Sequence, residues 1–254
     1  MQQLKTLLSD MKLAGMSHAL DGVCAQAADG ALSFSEALLL LAQSEKDHRA
    51  IKKSQSLQNK ATFRNNACLE NWDHTFERGV SRQKIRELAS LQFIRQNKNL
   101  LLLGQTGVGK TQLAIALGRV ACNQSFTVRF LSTNQFFEEY LLAQSTGKTL
   151  AWIKKISKPQ ILILDDFALR RYSHQEATIL LEILEERFQK GSVIFTSQVD
   201  PSGWHPLFED PAVVEAILDR IQNPSIKVVL KGQSYRAQLG QTTEATGRQK
   251  EGRK

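Results

Sequence analysis

Gly104-Gln105-Thr106-Gly107-Val108-Gly109-Lys110-Thr111 lies between the apolar run Asn99 to Leu103 and a helical pattern spanning Gln112 to Ala121. A loop of this composition between a strand and a helix predicts a triphosphate site. Glycine lets the backbone come close, so that successive N–H groups and a helix N-terminus face phosphate oxygens. In that arrangement the stretch from Gly104 to Thr111 cradles the nucleotide, Lys110 reaches the β and γ phosphates, and Thr111 holds Mg²⁺.

Further along, Ile161-Leu162-Ile163-Leu164-Asp165-Asp166 runs four aliphatic residues into two carboxylates. This is the pattern of a strand that delivers acids to the carboxyl edge of a sheet, where nucleotides bind. Asp165 is expected to help hold Mg²⁺ and Asp166 to polarise the attacking water. Aspartate reaches less far than glutamate, so slow hydrolysis is expected. Val193-Ile194-Phe195-Thr196-Ser197-Gln198 ends a second aliphatic strand in polar side chains. Gln198, or Ser197 in its place, is a candidate for orienting that water.

With Leu100 to Leu103, Val128 to Leu131 and Ile226 to Leu230, these runs make five short strands that alternate with helical stretches. Such alternation predicts a three-layer α/β P-loop NTPase with a parallel five-stranded sheet. The capping-box pattern Ser173-His174-Gln175-Glu176 predicts a helix over Glu176 to Gln189. Asp219-Arg220 and Ser234-Tyr235-Arg236 each offer a guanidinium suited to phosphate, although either could be an ordinary surface arginine.

Outside this core the charge changes. Residues 104–226 carry 12 Lys/Arg against 13 Asp/Glu, whereas residues 1–103 carry 14 against 10 and residues 227–254 carry 7 against 2. A near-neutral core with basic flanks, within a total of +8, suggests a polyanionic partner larger than a nucleotide. Leu4, Leu7, Leu8 and Met11 follow a helical period, and Ser33-Phe34-Ser35-Glu36 is a second capping-box pattern. A small N-terminal helical domain over residues 1–66 is expected, then the ATPase domain over 67–237 and a disordered basic tail over 238–254.

Within the helical domain Lys46, Arg49, Lys53, Lys60 and Arg64, with Lys52 beside them, recur at spacings that share one helical face. They form either a solvated face or a phosphate-contacting stripe. Lys148, Lys154 and Lys155, with Lys158, pose the same choice in the segment 134–159. The cysteines Cys24, Cys68 and Cys122 are odd in number and widely spaced, which argues against a disulfide framework or zinc site. No run of about 18 apolar residues could span a bilayer, so a cytoplasmic protein without membrane contact is expected.

Together GQTGVGKT, ILILDDF, VIFTSQ, WHPLFED at 204–210, ILDRI at 217–221 and LKGQSYR at 230–236 resemble the IstB family of insertion-sequence helper ATPases, related to the DnaC helicase loaders within the AAA+ group. The similarity covers roughly residues 30–237. The resemblance implies an arginine finger at Arg220 acting on a neighbouring subunit's ATP, a sensor-two arginine at Arg236, and therefore an ATP-dependent homo-oligomer. It implies assembly on double-stranded DNA with weak sequence selectivity, and delivery of that DNA to a cognate transposase with stimulation of insertion. A DnaC-like replicative helicase loader is the alternative. Only 18 residues follow Arg236, too few for the helical lid of many AAA+ cores, so a switch is expected rather than a motor.

Overall fold

The computed structural model describes residues 1–73 and 79–234. Arg236, the tail 238–254 and the expected absence of a lid lie outside the described residues. The chain divides into two compact units, Met1–Leu57 and Gln58–Lys254.

The first unit contains α1 (Gln2–Asp10), α2 (Ala14–Ala28) and most of α3 (Phe34–Ala61). Helix α3 starts where the sequence predicts. The backbone N–H of Ser33 donates to Glu36 Oε2 at 2.8 Å, and that of Glu36 returns to Ser33 Oγ at 3.3 Å. Helix α2 comes so close to α3 that a Cβ on Gly15 would lie within 2.7 Å of Ser44 O, Glu45 Cα and His48 Cβ. Buried Glu45 completes the contact by accepting from the N–H of Gly15 at 2.7 Å, on the first turn of α2. Helix α1 forms, but its apolar stripe is not buried: Leu7 and Met11 are 55% and 59% exposed.

In the second unit come α4 (Arg82–Ala89), α5 (Gln92–Arg95), β1 (Asn99–Leu103), α6 (Lys110–Asn123), β2 (Val128–Ser132) and α7 (Thr133–Ser145). These are followed by α8 (Thr149–Ser157), β3 (Ile161–Phe167), α9 (His174–Arg187), β4 (Ser192–Ser197), α10 (Pro211–Gln222) and β5 (Ser225–Val229). All five strands pair in parallel in the order β2-β3-β4-β1-β5. Every residue of β1 and β4 is buried, as a sheet covered on both faces requires. Leu101, Leu103, Leu162, Leu164, Val193 and Phe195 pack with α7 to α10 in one core. The alternate residues turn to the other face, where a Cβ on Gly118 of α6 would meet Ile163 Cδ1 at 3.0 Å.

The sheet brings together the ends of β1, β3 and β4 at its carboxyl edge, so the three motif strands converge as expected. A β-bulge interrupts the β3–β4 register: Leu164 pairs with Phe195, but Phe167 pairs with Ser197. One extra residue is therefore accommodated in β3 at the two acids, and Asp166 takes a left-handed φ of 57°.

Candidate functional site

The loop after β1 needs glycine for space as well as for conformation. At Gly104 (φ 146°) a Cβ would fall 2.2 Å from the carbonyl of Leu230, and at Gly107 (φ 86°) it would fall 2.1 Å from Ser234 Oγ. Gly109 then caps α6 without any side-chain hydrogen bond, which leaves the first N–H groups of that helix unclaimed by a cap. Lys110 is buried, and its Nζ donates to the carbonyls of Gly104 and Gln105 at 2.8 and 2.9 Å. The P-loop thus holds its own lysine in place.

At the end of β3, Asp165 is fully buried. Its Oδ1 accepts from Thr111 Oγ1 at 2.8 Å and from Thr196 Oγ1 at 2.6 Å. Thr196 also accepts the backbone N–H of Asp166 at 2.9 Å, so one hydroxyl fixes both acids. Burial pushes the Asp165 pKa up, against the hydrogen bonds of Thr196 and Thr111; the Asp166 charge adds to the rise and Arg64 opposes it. The second carboxylate oxygen, Oδ2, is buried with no hydrogen-bond partner among the described residues. An orphaned carboxylate oxygen beside a threonine hydroxyl suits a hard divalent cation, so Thr111 and Asp165 fit Mg²⁺.

A cavity of about 970 Å³ opens over the loop, lined by Lys110, Asp166 and Gln198 and by Arg64, Cys68 and Trp72. Gln198 therefore reaches the same space as Asp166. Ser197 does not compete for that role, because its hydroxyl donates to the Val199 carbonyl at 3.0 Å. The importance of Thr196 was hidden in the sequence: its place in the strand was legible, but its bonds depend on pairing between β3 and β4.

Of the two candidate arginines, Arg220 is not brought to this cavity. Arg236 lies outside the described residues. Arg220 is at the opposite end of the sheet: Asn99, which starts β1, donates its Nδ2 to the carbonyl of Arg220 at 2.9 Å. The Arg220 guanidinium pairs with Asp219 at 2.7 Å and Glu185 at 3.1 Å, and stacks over Phe188 at 5.1 Å.

Among the candidate DNA contacts, Lys46, Lys52, Lys53 and Lys60 are exposed on α3, as are Lys148 and Lys154 around α8. Lys155 approaches Glu139 at 3.7 Å. Arg49 is tied to Glu45 at 2.6 Å. Burial works to raise the Glu45 pKa, but Arg49 and the N–H groups of Met16 and Gly15 prevail and hold it below the usual range. Arg64 corrects the expectation of one helical stripe. Helix α3 ends at Ala61, Thr62 turns left-handed at φ 58°, and Arg64 lines the cavity over the P-loop instead. Periodicity alone could not show that the helix had stopped.

The sequence profile of the family described as IstB-like ATP binding protein matches residues 6–243. The chain is 33% identical to an insertion sequence IS21 ATP-binding protein of Pseudomonas aeruginosa, over 93% of this chain and 89% of that one. It is 36% identical to an insertion sequence IS1162 ATP-binding protein of Pseudomonas fluorescens, over 79% and 87%. Among solved structures, the DnaC helicase loader aligns with a TM-score of 0.54 at 20% identity, over 65% of this chain and 97% of that one. DnaI aligns at 0.56 and 20% identity, over 70% and 94%. At such identity these two structures speak for the fold alone.

Proposed function

Because this chain belongs to the family of IstB-like ATP-binding proteins, we propose that it hydrolyses ATP as the switch of a DNA-bound assembly that offers double-stranded target DNA to a cognate transposase. The observation that carries the ATPase reading is the junction of Thr111, Asp165 and Thr196, with Asp166 held beside it at the cavity. It separates a buried acid fit for a cation from a half-buried acid that faces the solvent space.

Each residue then has a distinct task. The P-loop N–H groups bind phosphate oxygens, and Lys110 exchanges its two carbonyl partners for the β and γ phosphates. Thr111 and Asp165 would hold Mg²⁺, which would supply charge neutralisation for the phosphates. Asp166 accepts a proton from the attacking water, and Gln198 orients that water. Arg220 serves the nucleotide of a neighbouring copy, and Arg236 acts as the sensor-two arginine by resemblance to the family. The exposed lysines of α3 and α8 contact DNA phosphates, which bring affinity without sequence reading.

The test combines purified protein, duplex DNA and either ATP or ADP, followed by electron microscopy and by capture with the transposase of the same element. Stable oligomers on unrelated duplexes with ATP, and transposase capture, are expected. Capture of a replicative helicase in place of the transposase would establish the helicase-loader alternative, and monomers on DNA with either nucleotide would overturn the switch.

A further inference from the structure

The segment that leaves α3 is fastened to the ATPase core on both sides of Arg64. Before it, Thr62 Oγ1 donates to the carbonyl of Phe130 in β2 at 3.2 Å, and the Phe63 ring meets Phe130 edge-on at 6.4 Å. Phe63 also fills the space left by Gly118 of α6, where a Cβ would come within 2.8 Å of its ring. After it, Asn66 Oδ1 accepts from Arg119 of α6 at 3.2 Å, and the N–H of Ala67 closes onto Asn65 Oδ1 at 3.0 Å. Between these anchors the Arg64 side chain is exposed, and it makes no hydrogen bond or ion pair to another described residue. It lines the cavity together with Lys110, Asp166 and Gln198.

Charge shows what such a group would bind. The motif residues supply one cation, Lys110, against two carboxylates, Asp166 at the cavity wall and Asp165 buried beside Thr111. A nucleoside triphosphate adds further negative charge that one Mg²⁺ offsets only in part. Arg64 is the other cation lining the cavity among the described residues. It shares the cavity wall with Thr111, Asp166 and Gln198, the residues read as facing the metal and the attacking water, and so with the terminal-phosphate end of the space. An arginine fork is well matched to phosphate oxygens.

We propose that Arg64 is a second phosphate-binding cation of the nucleotide site, supplied by the same chain and directed at the terminal phosphate, so that a triphosphate pins the segment at the end of α3 and a diphosphate does not. This rests on the reading of the cavity as a nucleotide site. It turns a residue expected to lie on the DNA stripe into a link between nucleotide state and the basic helix, whose last turn continues directly into the segment Arg64 occupies.

The test measures binding of Mg-ATP and Mg-ADP by calorimetry to the full chain, to Arg64→Ala, to Arg64→Lys and to Lys110→Ala. Arg64→Ala is expected to lose about tenfold or more of its ATP affinity and about twofold or less of its ADP affinity, with Arg64→Lys between wild type and alanine. Cys68, which lines the same cavity, gives a second readout. Its alkylation, located by peptide mass spectrometry, should be slower with ATP than with ADP in the wild type, and the difference should vanish in Arg64→Ala. An unchanged Cys68 alkylation rate without nucleotide shows that the segment keeps its place in the variant. Equal loss of ATP and ADP affinity, or no loss of either, while Lys110→Ala abolishes both, overturns the role of Arg64. Nucleotide binding that survives Lys110→Ala would instead overturn the underlying site.

Discussion

The two ends of the central sheet treat charge in opposite ways. At the carboxyl end the polar groups converge on a cavity: Asp165 keeps one oxygen without a partner among the described residues, and Asp166, Gln198 and Arg64 face open space. At the amino end Arg187 is almost entirely buried and donates to the carbonyls of Ile156, Ser157, Pro159, Gln160 and Ser192. Burial pushes its pKa down to about 10, so it remains charged at neutral pH and locks the end of α8 to the starts of β3 and β4. Arg220 sits at that same end with carboxylate partners that are themselves more than half exposed, and solvent-screened pairs of this kind exchange readily. One end is built to receive a ligand; the other carries one arginine that is spent and one that is available. A strand of five residues covers about 16 Å, so Arg220 cannot serve the cavity of its own chain. Under the proposed function, the nucleotide that Arg220 serves is therefore that of a second copy.

The strongest challenge to this contrast is Arg220→Ala. Hydrolysis stimulated by DNA should fall by roughly 10³ to 10⁵, the range for an arginine supplied in trans, with ATP affinity nearly unchanged in a binding titration. Mixing Arg220→Ala with Asp166→Asn should restore part of the activity through hybrid interfaces. No recovery at any ratio, with mixed assembly confirmed, would mean that the amino end makes no contribution to catalysis. Asp166→Asn alone should slow turnover by about 10² to 10⁴ in a phosphate-release assay while ATP still binds. Wild-type turnover in that variant would remove the carboxyl end's proposed base.

Arg187→Ala sharpens the contrast between the two arginines of the amino end. Five carbonyls lose their donor, and urea unfolding should register a loss of about 3–4 kcal/mol, with nucleotide affinity of the folded protein retained. The exposed lysines of α3 set the baseline. Replacing Lys53 and Lys60 with Ala should flatten the slope of log DNA affinity against log salt by up to about 2 and leave both stability and basal ATP binding alone. Arg49→Ala is a poorer probe of that surface, because it also strips buried Glu45 of its partner.

The parts of the site that were legible in the sequence are those where a ligand dictates backbone and spacing together. The P-loop from Gly104 to Thr111, the acids ending β3 and the polar end of β4 could be read because each combines a strand with side chains at its exit. Thr196 became visible only through strand register, and Arg187 only through carbonyls contributed by residues 156–160 and 192. Arg64 was misread because a spacing of three and four continues on paper after Thr62 has left the helix. The start of α7 also went unread: Ser132 and Gln135 form a capping box there, following a strand whose own apolar pattern masked the change of element.

The bulge in β3 works as a frame shift for side chains. In an unbroken strand, alternation would send Leu162, Leu164 and Asp166 to one face, the face filled by the main core. The extra residue gives that place to Phe167, whose ring meets Trp204 at 4.8 Å, Phe195 at 5.1 Å and Tyr172 at 5.6 Å. An aromatic hub and a water-facing acid are thereby written in adjacent letters, and their order decides which one ends up dry. Deleting Asp166 would let the strand close up with Phe167 still in its layer, yielding a protein that folds and holds a cation but has no base; inserting a residue before Phe167 would drive a polar group into the hub and cost the fold itself.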